Sequence, residues 1–325
     1  SSLFPAMLRG LSKWFAGPGP RGEPALSYTV ALDRLPEAVR SKFLQLGPDA
    51  ATQAFLDECR REWHPARDAF AMYLRKFMCI TDANGWACRG QMHALTAEHI
   101  EKLCGGRLTG RLLLDIGAGD GSVTKVVAPG FERVVCTEVS SPMIRRLRQQ
   151  GWEAPDSADL NNPDLGAACY DCILLSNILD RIDAPHDLLT SCCKLLRPGG
   201  TILVALVLPW CPFVEDGTSK RPPKQPLPMT GGFCCQGAGF EASLEVLAEK
   251  VLEPLGLHLQ QWAKVPYLCR GDSNKAWYVL SDAVMVLKSS ADAPEVVERR
   301  EPARMPSGGV FSAVLCPQRK RVGLL

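Results

Sequence analysis

A doubly wound α/β domain is the fold class that the sequence predicts, on three observations. Apolar runs of strand length alternate with helical patterns from residue 111 onward, a glycine-rich turn joins the first run to the helix after it, and the last two runs follow each other directly. The strands are expected at 111–115, 133–138, 152–154 (short and weak), 169–176, 201–208, 257–265 and 277–287. The helices between them are expected at 122–129, 141–150, 185–196 and 240–254. Alternation of this kind argues a mostly parallel sheet of seven strands, covered by helices on both faces. Because 257–265 and 277–287 have no helix between them, they should form an antiparallel hairpin at one sheet edge.

The chain before this domain reads differently. Residues 1–24 form an arm and linker: the first sixteen lack an acid and carry Arg9 and Lys13, and Gly17-Pro-Gly-Pro-Arg-Gly-Glu-Pro24 is rich in turn residues. The arm reads either as the remnant of a targeting segment or as an ordinary helical arm. Residues 25–105 are expected as a helical lobe, with helices at 34–47, 50–62 and 66–78 and an amphipathic one at 95–103 leading into the domain at 106–288. Residues 209–239, rich in Pro, Gly and Lys, read as a long loop or lid. The tail, 289–325, is first polar and charged and then offers a short strand at 310–315.

Composition excludes more than it names. With 325 residues and 46% hydrophobic content the chain can bury a large core without crosslinks. A net charge of +2 gives no whole-chain attraction for nucleic-acid phosphates. No window holds the ~20 uninterrupted apolar residues of a membrane span. The 14 cysteines are spread through predicted strands and helices, and are expected to be mostly reduced. Cys169-x-x-Cys172 and the pairs Cys192-Cys193 and Cys234-Cys235 lack a partner at zinc-ribbon distance, and His93 and His99 are six apart, not the four of a helical metal pair. No metal site is expected.

Chemistry concentrates at three places. Asp115-Ile-Gly-Ala-Gly-Asp-Gly121 lies between a strand and a helix, where Gly117, Gly119 and Gly121 let the backbone turn tightly against a ligand. A dinucleotide-binding loop would have its third glycine at Ser122, so the spacing fits S-adenosyl-L-methionine better, with Asp115 near the cofactor's amino group. Glu138 ends the strand at 133–138, where a carboxylate can accept hydrogen bonds from two ribose hydroxyls. Asn177 and Asp180 follow the strand at 169–176 and emerge at the carboxyl edge of the sheet, where the crevice between strands takes substrates. Three-residue spacing would put both on one face of a short helix, and capping of that helix is the simpler alternative role for each.

The chain closely resembles the DREV family, also called methyltransferase-like protein nine, over residues 55–288. The stretches that carry the resemblance are Leu114-Asp-Ile-Gly-Ala-Gly-Asp-Gly-Ser-Val-Thr-Lys125, Thr137-Glu-Val-Ser, Asn177-Ile-Leu-Asp-Arg181, Ala205-Leu-Val-Leu-Pro209, Pro266-Tyr-Leu-Cys-Arg-Gly-Asp272 and Tyr278-Val-Leu-Ser-Asp-Ala-Val284, with Arg89-Gly-Gln-Met92 ahead of them. The lobe, the lid and the tail depart from the family pattern. The resemblance implies a Rossmann-like class I methyltransferase. It also implies transfer of a methyl group to the pros nitrogen of histidine in His-x-His peptides with a small middle residue, releasing S-adenosyl-L-homocysteine. Asn177 and Asp180 match family positions that bind the target imidazole, and Glu138 and Tyr267 match positions near the cofactor; Asn177 is also expected to touch it. The partners implied are protein or peptide substrates, with no nucleic acid, acting on a monomer inside the cell, in the endoplasmic reticulum or mitochondrion. Two alternatives stay open: methylation of a small imidazole such as a histidine dipeptide, and a cofactor-binding module without activity.

Overall fold

The computed structural model describes residues 23–62, 64–229, 239–272 and 274–290. The arm, the centre of the lid and the tail with its expected strand at 310–315 lie outside the described residues, apart from the ends of the linker and tail.

In chain order the helices are α1 (Glu37–Arg40), α2 (Ala50–Arg61), α3 (Pro65–Leu74), α4 (Ile80–Trp86), α5 (Ala97–Cys104), α6 (Thr124–Val127), α7 (Ser141–Gln149), α8 (Pro185–Leu195) and α9 (Phe240–Leu247). The strands are β1 (Met92–His93), β2 (Gly110–Ile116), β3 (Phe131–Thr137), β4 (Tyr170–Ser176), β5 (Leu196–Val207), β6 (Val214–Asp216), β7 (Ser219–Arg221), β8 (Leu257–Arg270) and β9 (Trp277–Ser289). Seven strands form one sheet in the order β1-β8-β9-β5-β4-β2-β3. The pairs β2–β3, β2–β4 and β4–β5 are parallel, while β9 runs antiparallel to both β5 and β8. Five strands therefore point one way and their carboxyl ends share one rim, as a mostly parallel sheet requires.

Period-two alternation builds two cores from the same strands. Leu112, Leu114 and Ile116, with Ile173, Leu175, Ile202 and Val204, pack beneath α8 and α9. Leu113, Cys172, Leu174, Leu203 and Ala205 face α5 and α7 on the other side. The helices start where the sequence supplies caps. Asp49 Oδ1 accepts the Thr52 N–H at the start of α2, Thr96 Oγ1 accepts the His99 N–H at the start of α5, and Gly105, at φ 67°, ends α5.

Four expectations are corrected. The helix read at 34–47 is only the single turn of α1, because the Val39 carbonyl accepts from Trp262 Nε1 at 2.7 Å and residues 42–44 then run beside β8. The helix at 66–78 ends at Leu74 and a separate α4 follows. The strand at 152–154 shrinks to one bridge between Val135 and Glu153, and the seventh strand is β1 at the opposite edge, paired to β8. That places β1, two residues long, outside the expected edge hairpin of β8 and β9. β8 also continues past 265, through Pro266. Among the described residues no strand pairs with the outer side of β8 at Pro266, since β1 reaches only Leu268 and Cys269, so the missing N–H costs no ladder bond there.

Residues after β5 are not all loop. β6 and β7 make a hairpin turning at Gly217, whose φ is 57°. No helix among the described residues is long and apolar enough to cross a membrane. Among the described residues the buried Cys59, Cys136, Cys172 and Cys192 are free, and Cys211 is disulfide-bonded.

Candidate active site

The glycine turn leaves β2 at the rim and folds back over β3. The N–H groups of Gly117 and Ala118 both donate to the Thr137 carbonyl, at 2.9 and 3.2 Å. Gly117 has φ 71°, and a Cβ there would meet Ile178 Cδ1 at 2.7 Å, so the turn lies directly against the segment that follows β4. At Gly119, φ 56°, the nearest atom to a Cβ would be Met92 Cε at 3.8 Å, so this point of the turn is open. Gly121, φ 79°, is packed against Trp152.

Two carboxylates frame the turn. Asp115 is buried at the end of β2; its Oδ2 accepts from Thr124 Oγ1 at 2.5 Å, and its Oδ1 has no hydrogen-bond partner. Burial pushes its carboxyl up to about 7, Thr124 pulls it down and Glu138 raises it. Glu138 accepts three backbone N–H groups: Gly119 at 2.9 Å on Oε2, and Val139 at 2.7 Å and Ser140 at 2.9 Å on Oε1. It therefore holds the turn to the end of β3. α4 closes over this region, with Ser140 Oγ donating to Asp82 Oδ1 at 2.6 Å and Gly85 set against Pro142.

Beside the turn, the chain after β4 makes a tight left-handed step. Asn177 has φ 55°, its N–H donates to the Ala205 carbonyl at 2.8 Å, and its Nδ2 donates to Asp282 Oδ2 at 2.9 Å. Its Oδ1 is buried and unpartnered. Asp180 is 1% exposed; Oδ2 pairs with Arg181 Nη1 at 2.5 Å, and Oδ1 is again buried and unpartnered. Burial lifts the Asp180 carboxyl to about 6 against the lowering effect of Arg181. Neither residue sits in a regular helix, so the expected shared helix face is replaced by a left-handed residue followed by a turn.

Tyr267, on β8, is buried and donates its hydroxyl to Met92 Sδ. Burial raises its hydroxyl well above the usual range, and the nearby acids Asp282 and Asp180 add to the rise. Its neighbours are thus the Asn177–Asp180 side of the crevice. The sequence reading missed Asp282. It lies in β9 opposite Val207 of β5 and Val265 of β8, is fully buried, and has its carboxyl pushed by burial to about 8. The available signal was an acid inside a strand apolar enough to be central. Arg181 and Phe213 were also missed as a unit: the Arg181 guanidinium stacks 3.8 Å from the Phe213 ring centre, and Lys220 Nζ lies 3.7 Å from the same ring. No group of three or more metal-ligating side chains occurs among the described residues.

Comparisons with known proteins bear on the family. The model of the DREV methyltransferase family matches residues 28–289. A ubiquinone biosynthesis O-methyltransferase of Xylella fastidiosa (strain 9a5c) is 27% identical over 147 residues, covering 41% of this chain and 58% of the relative. An uncharacterized methyltransferase of Mycobacterium tuberculosis (strain ATCC 25618 / H37Rv) is 28% identical over 95 residues, covering 28% and 48%. The chain thus spans about half the length of the curated relatives it matches. Among solved structures, a SAM dependent methyltransferase from Aquifex aeolicus superimposes with TM-score 0.36 at 16% identity, covering 57% of this chain and 88% of that one.

Proposed function

This chain belongs to the DREV methyltransferase family, and from that premise we propose that it transfers a methyl group from S-adenosylmethionine to the pros nitrogen of histidine in His-x-His peptides. One observation carries the reading. Two buried acceptor oxygens, Asn177 Oδ1 and Asp180 Oδ1, stand without partners beside the glycine turn, and a neutral imidazole offers one N–H donor while its other nitrogen stays free to attack.

The residues present suit the cofactor. Asp115 Oδ1 is an orphaned acceptor for an ammonium group, Gly119 leaves open space, and Glu138 accepts three N–H groups where a carboxylate can take about four hydrogen bonds. S-adenosylmethionine would supply an electrophilic methyl on a positively charged sulfur. The protein's share is alignment and proton management. Asp180 Oδ1 accepts the remote imidazole N–H, which fixes the tautomer, leaves the pros nitrogen unprotonated and stabilises the positive ring that methylation creates. The ring's remote proton then leaves through the same carboxylate. Arg181 keeps Asp180 ionised against its burial. Asn177 Oδ1 positions the ring and the cofactor, and Tyr267 lines the crevice near Asp180, with its hydroxyl on Met92, whose methyl group stands opposite Gly119 of the turn.

Mass spectrometry of a His-Ala-His peptide with S-adenosylmethionine, beside an Ala-Ala-Ala control, is the test. A single methyl on the pros nitrogen of the first peptide alone is expected. Labelling of a histidine dipeptide but not the longer peptide would move the reading to small imidazoles, and no labelling with either, with the cofactor bound, would leave a binding module. Asp180→Ala should abolish transfer with cofactor affinity retained, and normal turnover would remove Asp180 from this role.

A further inference from the structure

The fully buried carboxyl group of Asp282 has no place in the mechanism above, and it is expensive to keep. It sits in β9 between Val207 of β5 and Val265 of β8, with Ala283, Val284 and Met285 after it, a setting that an aliphatic side chain would fill at lower cost. Among the described residues its only side-chain hydrogen-bond donor is the Asn177 amide, 2.9 Å from Oδ2, and its other oxygen is unpartnered.

Asn177 is held at three points. Its φ of 55° is a conformation few side chains accept but Asn tolerates, its N–H is fixed to the Ala205 carbonyl, and its amide nitrogen is fixed to Asp282. An amide has two faces of opposite hydrogen-bonding sense, and turning it over exchanges an acceptor for two donors. With the nitrogen tied to an acid, only the oxygen is left to face the crevice. A donor there would compete with the imidazole N–H and repel both a sulfonium and an imidazolium; an acceptor attracts all three.

We propose that Asp282 is a positioning residue for the transfer reaction: by accepting the Asn177 amide it sets which end of that amide meets the reactants. It acts through Asn177 and does not touch the substrate. The assignment rests on the substrate reading given above, because the competing orientations differ most for an N–H donor ligand.

A double-mutant cycle tests it, using Asp282→Leu, Asn177→Ala and the pair in the full chain, with turnover of the His-Ala-His peptide and affinity for S-adenosylhomocysteine by calorimetry as readouts. Asp282→Leu should lower kcat by about 10- to 100-fold with KM changed much less, and should have no further effect in the Asn177→Ala background. Asp282→Asn, which keeps an oxygen acceptor, should recover most of kcat. The Asn177 side-chain amide protons should be slow to exchange in the parent and fast in Asp282→Leu, by NMR. Losses that add in the double variant, or an Asp282→Leu protein with parental kcat, would overturn the proposal. Should the leucine variant not fold, Asp282→Thr takes its place in the same cycle, with the same two readings. If the parent methylates no peptide, the substrate reading has failed separately, and slow exchange of the Asn177 amide that persists without Asp282 still overturns this one.

Discussion

Arg181 is the residue on which the proposed activity at neutral pH turns. In the proposed reaction the Asp180 carboxyl must be ionised to accept the imidazole N–H, yet burial lifts it to about 6, and the Arg181 charge is the larger of the two effects that oppose the lift. Activity should therefore fall as pH drops through about 6. The substrate imidazole titrates near ~6.5 and contributes to the same limb, so its position alone does not separate the two. Arg181→Ala does, because it leaves the substrate unchanged: the acidic limb of kcat against pH should move upward, and activity at pH 7 should fall while activity at pH 8.5 recovers. A limb that stays in place would mean that Asp180 is not the titrating group. Glu138 makes a different kind of prediction. Glu138→Ala removes the proposed ribose acceptor and also strands the N–H groups of Gly119, Val139 and Ser140, each of which costs on the order of 1–3 kcal/mol if left buried without water. Weaker cofactor binding by calorimetry should come with a lower melting temperature in the cofactor-free protein. Loss of affinity with unchanged melting would assign Glu138 to the ribose alone.

At the scale of elements, the β6–β7 hairpin is fastened to the segment after β4 more firmly than a loop rich in Pro, Gly and Lys suggests. Asp183 pairs with Arg221 at 2.5 and 2.8 Å and accepts the Lys224 N–H at 3.1 Å, while the Phe213 N–H donates to the Asp180 carbonyl at 2.9 Å. Asp183→Ala should accelerate amide hydrogen exchange across 214–221 and raise KM for the peptide several-fold, with cofactor affinity unchanged. Unchanged exchange would leave the Phe213 stack as the effective fastener. None of these partners was legible in the sequence, because an ion pair between residues 38 apart has no local signature. The strands with continuous apolar runs, 111–115, 133–138, 169–176 and 201–208, were legible for the opposite reason: burial on both faces writes itself into every position. Helix 34–47 misled because its periodic apolar residues face β8 from a mostly extended chain, and β1 was too short to show any period. At the site, the turn and Glu138 were visible from spacing to a strand end, whereas Asp282 needed the register of β9 against β5 before its acid could be placed beside Asn177.

The whole molecule carries an unusual set of acids, and its stability should depend on pH in an unusual direction. Asp115 at about 7 and Asp282 at about 8 have folded values raised above the ordinary ~3.9 of an unfolded chain, so the folded state holds protons that the unfolded state has lost. Stability contributed by such groups is present below the unfolded value and lost as pH rises through the folded one. Buried Cys59 and half-buried Cys79 and Cys269 push the same way at higher pH, since burial raises each to near 11 when folded and they ionise earlier when unfolded. On the acid side His93, lowered to about 4 by burial, opposes them, because the unfolded imidazole takes up a proton below ~6.5 and the folded one does not. Above pH ~6.5 the imidazole no longer contributes and the two acids act unopposed, so the melting temperature should fall between pH 6.5 and about 8. Asp282→Asn should flatten that fall by removing one of the two acids responsible, and Asp115→Asn should flatten it separately. A melting temperature constant between pH 6.5 and 8.5 in the parent would show that these carboxylates are ionised at little cost in the folded protein, and with it would go the argument that Asp282 is kept for the orientation of Asn177 against the preference of its surroundings.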